Sequence, residues 1–394
     1  MILKGRKIIV GITGGIAVYK VAELVRLLKK EGMEVQVVMT EAATRFVSPL
    51  SFEVLSGRAV LSDQFASTGG VSHIELTDWA DLMLIAPATA NTIGKIATGI
   101  ADNLLTTMVM ACPKPVVVAP AMNHRMFENP IVQANIKRLE ELGYVFVGPE
   151  EGELACGWSG RGRLVEPSCM VEAVKDVLTP KELSGERLLV TAGPTREPID
   201  PVRFVSNRSS GKMGYELAKE GRRRGAEVVL ITGPTHLKPP YGITTVRVST
   251  AEEMYGAVMS YFPQSTILVM AAAVADYRPK TVYTEKVKKK DSSLSLELER
   301  TVDILKELGR SKGGKLLVGF ALETENLLEN AKKKLGEKNL DLIVANSPAS
   351  MDSDVSTAVL IDRSLNTRTI KECTKEELSS HIFSKIVELK KKRL

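Results

Sequence analysis

The chain has 394 residues, long for one domain and comfortable for two, and 44% of them are hydrophobic, which argues against global disorder. The formal net charge of +6 is mildly basic: it favours anionic ligands such as phosphates and permits nucleic acid without demanding it. No apolar run approaches the roughly 20 residues of a membrane span, and Cys112, Cys156, Cys169 and Cys373 show neither a disulfide framework nor paired metal-ligand spacing, which points to the reducing cytosol.

The opening MILKGRKIIV enters a strand-like run with none of the marks of a secretory signal. KIIVGITGG reads as a buried strand running into a glycine turn. Apolar residues at helical spacing follow (Val21, Leu24, Val25, Leu28), then a second strand in GMEVQVVMT. LMLIAPA, PVVVAPA and YVFVGP continue as strands covered on both faces. The polar, turn-prone LTPKELSGER (178–187) reads as a linker. After it the pattern restarts with RLLVTAGPT, a helix carrying Met213, Leu217, Ala218 and Gly221, and GAEVVLITG. TTVRV, TILVMAA, KLLVGFA and DLIVANS follow. Two strand–helix trains predict an α/β protein of two doubly wound, Rossmann-like domains, 1–180 and 186–394. EKVKKKDSSLSLELER, with alternating Leu294, Leu296 and Leu298, reads as a hairpin leaving the second domain. The charge runs 286–290 and 390–394 contain no aromatics and read as a solvated flap and tail.

Chemistry is expected in the loops after strands. GITGGIAVYK is an incomplete dinucleotide fingerprint whose Gly11, Gly14 and Gly15 let backbone N–H groups approach an anion. Glu41 stands near the second strand, so spacing does not exclude NAD. PATANTIGKIATGIADNLL offers Thr89, Asn91 and Lys95 to a phosphate or heteroaromatic ring. PAMNHRMFENP offers Asn123 and, to pack on a flat ring, Met122. His73 follows two glycines, and ELACGWSGRGR sets Cys156 on a glycine-rich, positively charged loop. Each alone suits capping or turn duty; together they suggest a catalytic site.

GITGGIA, SHIEL, PATANTIGKIATGIADNLL, PAMNHRM and ACGWSGRGR together resemble the flavin-dependent cysteine decarboxylases. The nearest likeness is to the N-terminal half of the bifunctional phosphopantothenoylcysteine decarboxylase/phosphopantothenate–cysteine ligase family of coenzyme A biosynthesis. Phe127 departs from that pattern, which often has Trp there, but keeps the aromatic character. The chemistry is coherent: a cysteinyl carboxylate has no electron sink until its thiol carbon is oxidised to a thioaldehyde, which calls for a two-electron cofactor, FMN. The resemblance implies that Gly14, Gly15, Thr40, Thr89, Asn91, Lys95 and Met122 bind FMN. It implies that His73 is a base or orienting group, that Asn123 holds the substrate carboxylate, and that Cys156 is the proton donor. Cys156 would ride a lid moved by Gly157, Gly160 and Gly162, with Arg161 or Arg163 beside it to favour its thiolate or to meet the substrate phosphate. The family forms trimers through this half.

In AGPTREPIDPVRFVSNRSSGKMG, the SSGKM piece looks like a P-loop. Ser206 stands where Walker A needs Gly, and Met213 where it needs Ser or Thr, so that motif is rejected. What remains is a donor-rich loop feeding a helix N-terminus. With AAAVADYRP, TEKVKKK, TVDIL, VGFALETEN and KKLGEKNLDLIVAN it resembles the ligase half of the same family. The resemblance implies that 4′-phosphopantothenate, cysteine and CTP are substrates, with an acyl-cytidylate intermediate and Mg2+ on the triphosphate. Arg203 and Asn207 would handle the acyl intermediate, with Asn207 and Lys286 catalytic. Asp276, Lys286, Asp303, Ile304, Phe320, Lys334 and Lys338 would line the nucleotide side. Metal ligands are not assigned. Ligase dimers joined to decarboxylase trimers imply a homo-oligomer, a dodecamer, in the cytoplasm, with no nucleic acid or membrane partner. The competing readings are a peptidyl-cysteine decarboxylase with an inert second domain, and a flavoprotein whose basic hairpin binds nucleic acid. Sparse aromatics oppose the latter.

Overall fold

The computed structural model describes residues 2–63, 73–153, 159–240, 242–288, 295–323, 325–346 and 355–393. The chain divides into two compact units, Met1–Thr179 and Pro180–Leu394.

In the first unit the strands are β1 (Lys7–Ile12), β2 (Glu34–Met39), β3 (Leu82–Ala88), β4 (Val116–Pro120), β5 (Val145–Phe146), β6 (Glu150–Glu153) and β7 (Ser159–Arg163). The helices are α1 (Val18–Lys30), α2 (Glu41–Thr44), α3 (Pro49–Ser56), α4 (His73–Trp79), α5 (Ala90–Thr98), α6 (Leu104–Ala111), α7 (His124–Phe127), α8 (Pro130–Glu141) and α9 (Pro167–Leu178). A five-stranded parallel sheet runs in the order β2-β1-β3-β4-β5. Every residue of β3 is buried, as a strand covered by helices on both faces requires. The pleat divides β1: Ile8, Val10 and Ile12 join Val21, Leu24 and Leu28 of α1 in one core, and Ile9 joins Leu105 and Val118 in the other. Strand order reverses between β1 and β3, the position where sheets of this kind bind ligands. β6 and β7 form a separate antiparallel pair.

The second unit has strands β8 (Arg187–Ala192), β9 (Arg196–Pro198), β10 (Phe204–Ser206), β11 (Glu227–Thr232), β12 (Thr244–Arg247), β13 (Ile267–Met270), β14 (Tyr277–Pro279), β15 (Leu298–Arg300), β16 (Leu316–Leu322), β17 (Leu342–Asn346), β18 (Val355–Asp362) and β19 (Thr367–Thr374). Its helices are α10 (Lys212–Arg223), α11 (Ala251–Tyr261), α12 (Ile304–Ser311), α13 (Leu327–Glu337) and α14 (Lys375–Lys391). The main sheet runs β12-β11-β8-β13-β16-β17-β18-β19. Its first six strands are parallel, with the switch between β8 and β13, and β18 and β19 add an antiparallel edge. One core sets Leu188 and Val190 against Leu217 and Phe383; the other sets Leu189 against Met254, Leu308 and Leu335.

Two small ribbons leave this sheet, β9 with β10 and β14 with β15. The second corrects the hairpin expected from EKVKKKDSSLSLELER. Leu298 pairs with Pro279, not with the lysine run, and Leu298 is exposed. Residues 289–294, including the expected turn and Leu294, lie outside the described residues. Alternation here follows a ribbon whose partner strand is an earlier segment. No helix among the described residues is long and apolar enough to cross a membrane.

Candidate active sites

In the first unit the carboxyl ends of β1, β2, β3 and β4 converge. Thr13, just past β1, donates from Oγ1 to the Pro87 carbonyl at 2.6 Å, and the Thr89 N–H donates back to Thr13 Oγ1 at 3.0 Å. The two loops at the switch point are thereby stitched together. Thr89 caps α5, its Oγ1 accepting from Thr92 N at 3.3 Å. Thr40 N–H, past β2, donates to Ile12 O at 3.0 Å. A Cβ on Gly14 would stand 2.5 Å from the Ala42 Cβ, so only glycine lets the β1–α1 turn rest on α2. Gly15 is open: the nearest atom to a Cβ there is Thr89 Cγ2, at 3.8 Å.

The sequence-predicted residues divide. Gly14, Gly15, Thr40 and Thr89 gather at this edge. Asn91 is exposed on the first turn of α5. Lys95 is committed elsewhere, its Nζ 2.6 Å from Asp102 Oδ2, and this hydrogen bond holds the Asp102 carboxyl below its usual range. Met122 is half-buried after β4, and Asn123 caps α7, its Oδ1 accepting from Arg125 N at 2.9 Å. His73 opens α4 and is half-buried.

Cys156, with Gly157, lies outside the described residues, in the stretch 154–158 that joins β6 to β7. The strands flanking it are described, and they change the reading of its glycines. Gly160 and Gly162 are not turn residues but lie within β7. A Cβ on Gly162 would collide with the Met122 carbonyl oxygen, and one on Gly160 would stand 2.9 Å from His124 Cβ. These glycines permit close approach of backbones, which sequence alone does not separate from flexibility. Met122 N–H donates to Gly162 O at 3.0 Å and closes the dock. Arg161 lies over the Phe127 ring at 5.4 Å, and Arg163 pairs with Glu166 at 3.0 Å. Burial pushes up the thiols of Cys112, Cys169 and Cys373, which suits inert roles.

The donor set at the β1/β3 switch point suits FMN. Backbone N–H groups of a glycine turn, the N-terminus of α5 and the hydroxyls of Thr40 and Thr89 match a phosphate monoester and the polar edge of a flavin, while buried Thr13 holds the two loops together behind them. The open face of Gly15 leaves the approach unobstructed.

In the second unit Asn207 follows β10 and reaches back to the switch point. Its Nδ2 donates to Ala273 O at 3.3 Å and Val274 O at 3.1 Å, in the loop after β13. Thr195 Oγ1 accepts from Ala275 N at 3.0 Å, and Ser206 Oγ donates to Thr195 O at 2.6 Å. Asp276 is exposed beyond that loop, and its carbonyl accepts from Thr301 N at 3.0 Å. Through Thr301 the chain reaches Asp303, which caps α12, and buried Ile304. Lys338 pairs with Asp303 at 3.0 Å, and Phe320 is half-buried near the end of β16. Lys334 pairs with Glu323 at 2.6 Å. Arg203 is held by Asp200 and the Val287 carbonyl, and Lys286 is exposed next to that anchor.

Two features escaped the sequence reading. Gly193 and Gly211, both with positive φ, lie side by side, so that a Cβ on Gly211 would be 3.3 Å from Gly193 Cα. With Gly214, whose Cβ would meet Ala192 Cβ at 2.5 Å, they form a dinucleotide-type glycine turn split by the β9–β10 insertion. The G-x-x-G at the start of α10 was the available signal. Second, a cleft of about 290 Å³ opens past β11 and β12, lined by Tyr215, Thr232, Thr235, Arg247 and Ser249 among others.

Residues 2–179 match the family model described as flavoprotein, and residues 183–389 the one described as DNA/pantothenate metabolism flavoprotein C-terminal domain. The chain is 46% identical over 399 residues to the coenzyme A biosynthesis bifunctional protein CoaBC of Bacillus subtilis, covering 99% of this chain and 98% of that one. It is 41% identical to the protein of the same name from Haemophilus influenzae over all of both chains. A crystal structure of the C-terminal domain of a CoaBC protein is 43% identical, covering 54% of this chain and 99% of that one, with a TM-score of 0.48. Matched along its whole length in both halves, the chain belongs to the CoaBC family of bifunctional coenzyme A biosynthesis enzymes, and its first half is a flavoprotein domain.

Proposed function

We propose that the second unit joins cysteine to 4′-phosphopantothenate at the expense of CTP, and that the first decarboxylates the 4′-phosphopantothenoylcysteine so formed to 4′-phosphopantetheine. The observation that carries the reading is the dock of β7 on the Met122–Asn123 turn. It brings the strand that follows Cys156 to the carboxyl end of β4, on the edge of the sheet that also carries Gly14, Thr40 and Thr89. Gly14, Gly15, Thr40 and Thr89 would hold FMN, with Asn91 and Met122 beside them. Lys95, paired with Asp102, shapes the α5 turn. FMN supplies the two-electron oxidation of the thiol carbon and its later reversal. Asn123 orients the substrate carboxylate for loss of CO2, His73 acts as base or orienting group at the thiol, and Cys156 delivers the final proton.

In the ligase unit, Asn207 orients the acyl group beside the β8/β13 switch point. Lys286 stabilises charge developing on the α-phosphate and the departing pyrophosphate. Asp276, Asp303, Ile304, Phe320 and Lys338 form the nucleotide side, and Lys334 joins them through Glu323. Mg2+ is carried mainly by the triphosphate, as its preference for phosphate and water oxygens allows. The protein works in the cytoplasm as a homo-oligomer, trimeric through the first unit and dimeric through the second, a dodecamer in total. Exposed Ile16 before α1, Tyr19 on α1, Leu50 and Val54 on α3, and Val202, Phe204, Tyr277 and Tyr283 near the ribbons, supply apolar surface for such contacts.

The test is incubation of the purified protein with phosphopantothenate, cysteine, magnesium and each nucleoside triphosphate in turn, with products identified by mass. Phosphopantetheine, CMP and pyrophosphate should appear with CTP. Equal yields with all four nucleotides would overturn the CTP assignment, and no phosphopantetheine would overturn the decarboxylase reading.

A further inference from the structure

The Asp200 carboxylate is wholly buried at the tip of the β9–β10 ribbon. Oδ1 serves its own turn, accepting from the N–H groups of Val202 and Arg203, each at 2.8 Å. Oδ2 faces another part of the chain. It accepts from Arg203 Nε at 3.0 Å and from the backbone N–H of Val287 at 3.1 Å. Arg203 Nη2 completes the clamp by donating to the Val287 carbonyl at 2.7 Å. Both polar backbone groups of Val287 are thus held by one ion pair. A second pin lies four residues earlier, where Tyr283 N–H donates to Ile199 O at 2.9 Å. Lys286 sits between the two pins, exposed and adjacent to the stronger one. On the other side, β10 runs from this tip straight to Asn207.

We propose that Asp200 is a positioning residue for the ligase reaction: through Arg203 and the Val287 backbone it fixes Lys286 relative to Asn207 before nucleotide binds. The physical reason is entropic. An exposed lysine on an unpinned segment would have to be ordered in the transition state, whereas a pinned one is already near its place. A buried carboxylate suits the pin because a charge-assisted, multiply bonded site has one geometry. This inference rests on the reading of Lys286 as the group that stabilises the first half-reaction.

Asp200→Asn separates the two functions of the carboxylate. The amide oxygen can still accept from Val202 and Arg203, but the amide NH2 then faces the Val287 N–H and the guanidinium, donor against donors. The experiment compares wild type, Asp200→Asn, Lys286→Gln and the double variant as full chains. Pyrophosphate release is followed in a single turnover, and CMP release from supplied acyl-cytidylate is followed separately. Trypsin cleavage after Lys286 and Lys288 is followed by mass, and Arg203→Lys, which cannot span both Asp200 and Val287, is a second variant. Asp200→Asn should slow pyrophosphate release about 100-fold, the scale of a small misplacement. It should slow CMP release much less, through the loosened Arg203, and expose both lysines to faster cleavage. The double variant should be no slower than Lys286→Gln alone. If Lys286→Gln is selective for the first step but Asp200→Asn slows both steps equally, or neither Asp200→Asn nor Arg203→Lys speeds cleavage, the positioning role is overturned and the Lys286 reading stands. If Lys286→Gln leaves pyrophosphate release unslowed, the Lys286 reading falls and this inference with it.

Discussion

Replacing Gly162 by alanine tests how the cysteine-bearing segment is held. A Cβ at this position falls well inside 3.0 Å of the Met122 carbonyl oxygen, and stands 3.2 Å from His124 N and 3.3 Å from Asn123 C. All three neighbours are backbone, so none can turn aside. Overpacking costs about 1–3 kcal/mol, and an immovable neighbour places this case near ~2–3 kcal/mol. For a unit of this size each kcal/mol moves Tm by about 2–4 °C, so the decarboxylase transition should fall by roughly 4–12 °C. If β7 lifts away instead, the strain is relieved but the Met122–Gly162 hydrogen bond is lost and the segment carrying Cys156 is misplaced. Either way FMN should stay largely bound, because Gly14, Gly15, Thr40 and Thr89 are untouched and only Met122 is disturbed. The assay is a calorimetric scan together with product analysis from phosphopantothenoylcysteine, with Gly160→Ala as the control. A Cβ on Gly160 meets His124 Cβ at 2.9 Å and Cγ at 3.1 Å, a milder overlap than the backbone collision at Gly162, so a smaller cost of about 1 kcal/mol is expected. A Gly162→Ala protein with the wild-type melting temperature and a full yield of phosphopantetheine would refute the close-approach reading, as would equal effects at the two glycines.

Three further outcomes are expected. Cys156→Ser should still oxidise and decarboxylate its substrate but fail to finish, because a serine hydroxyl is a far weaker acid than a thiol; an oxidised enethiol product and bleached flavin should accumulate, and normal phosphopantetheine yields would remove Cys156 from the mechanism. Fragments 1–180 and 186–394 should fold separately, the first yellow and decarboxylating, the second ligating, because each has its own sheet and two cores; fragments that both aggregate while the whole chain stays soluble would place the boundary wrongly. The Arg203 guanidinium, against the upward push of burial and helped by three backbone N–H groups, holds the Asp200 carboxyl well below the usual range. A depressed folded value means that the stabilisation is fully present above about pH 4 and is lost as pH falls through that folded value. The gap in urea midpoint between wild type and Asp200→Asn should therefore be level from neutral pH to about pH 5 and narrow below about pH 4; an unchanged gap into the acid range would contradict the ion pair.

What could be read from sequence was local. Runs such as LMLIAPA and TILVMAA announce strands covered on both faces, because burial on two sides leaves no polar alternation. The spacing of Val21, Leu24, Val25 and Leu28 marks the buried stripe of α1. The likeness of whole loops to one family supplied the chemistry that no single motif carried. What sequence could not decide depends on which distant segments meet. Strand order, β2-β1-β3-β4-β5 in one unit and β12-β11-β8-β13-β16-β17 with an antiparallel edge in the other, is a choice of partners, and periodicity reports burial without naming the partner. Gly193 and Gly211 look unrelated along the chain because the β9–β10 ribbon is inserted between them, yet they make one turn. Gly160 and Gly162 read as hinges, since a missing side chain signals freedom until a neighbouring backbone is seen to occupy its place. The family likeness assigns Arg203 to the acyl intermediate, and nothing along the chain names the anion that lies beside it. The fold delivers the anion from three residues away, in Asp200, and uses the pair to hold Val287, because a carboxylate closed off from water is stable only with its donors drawn in around it.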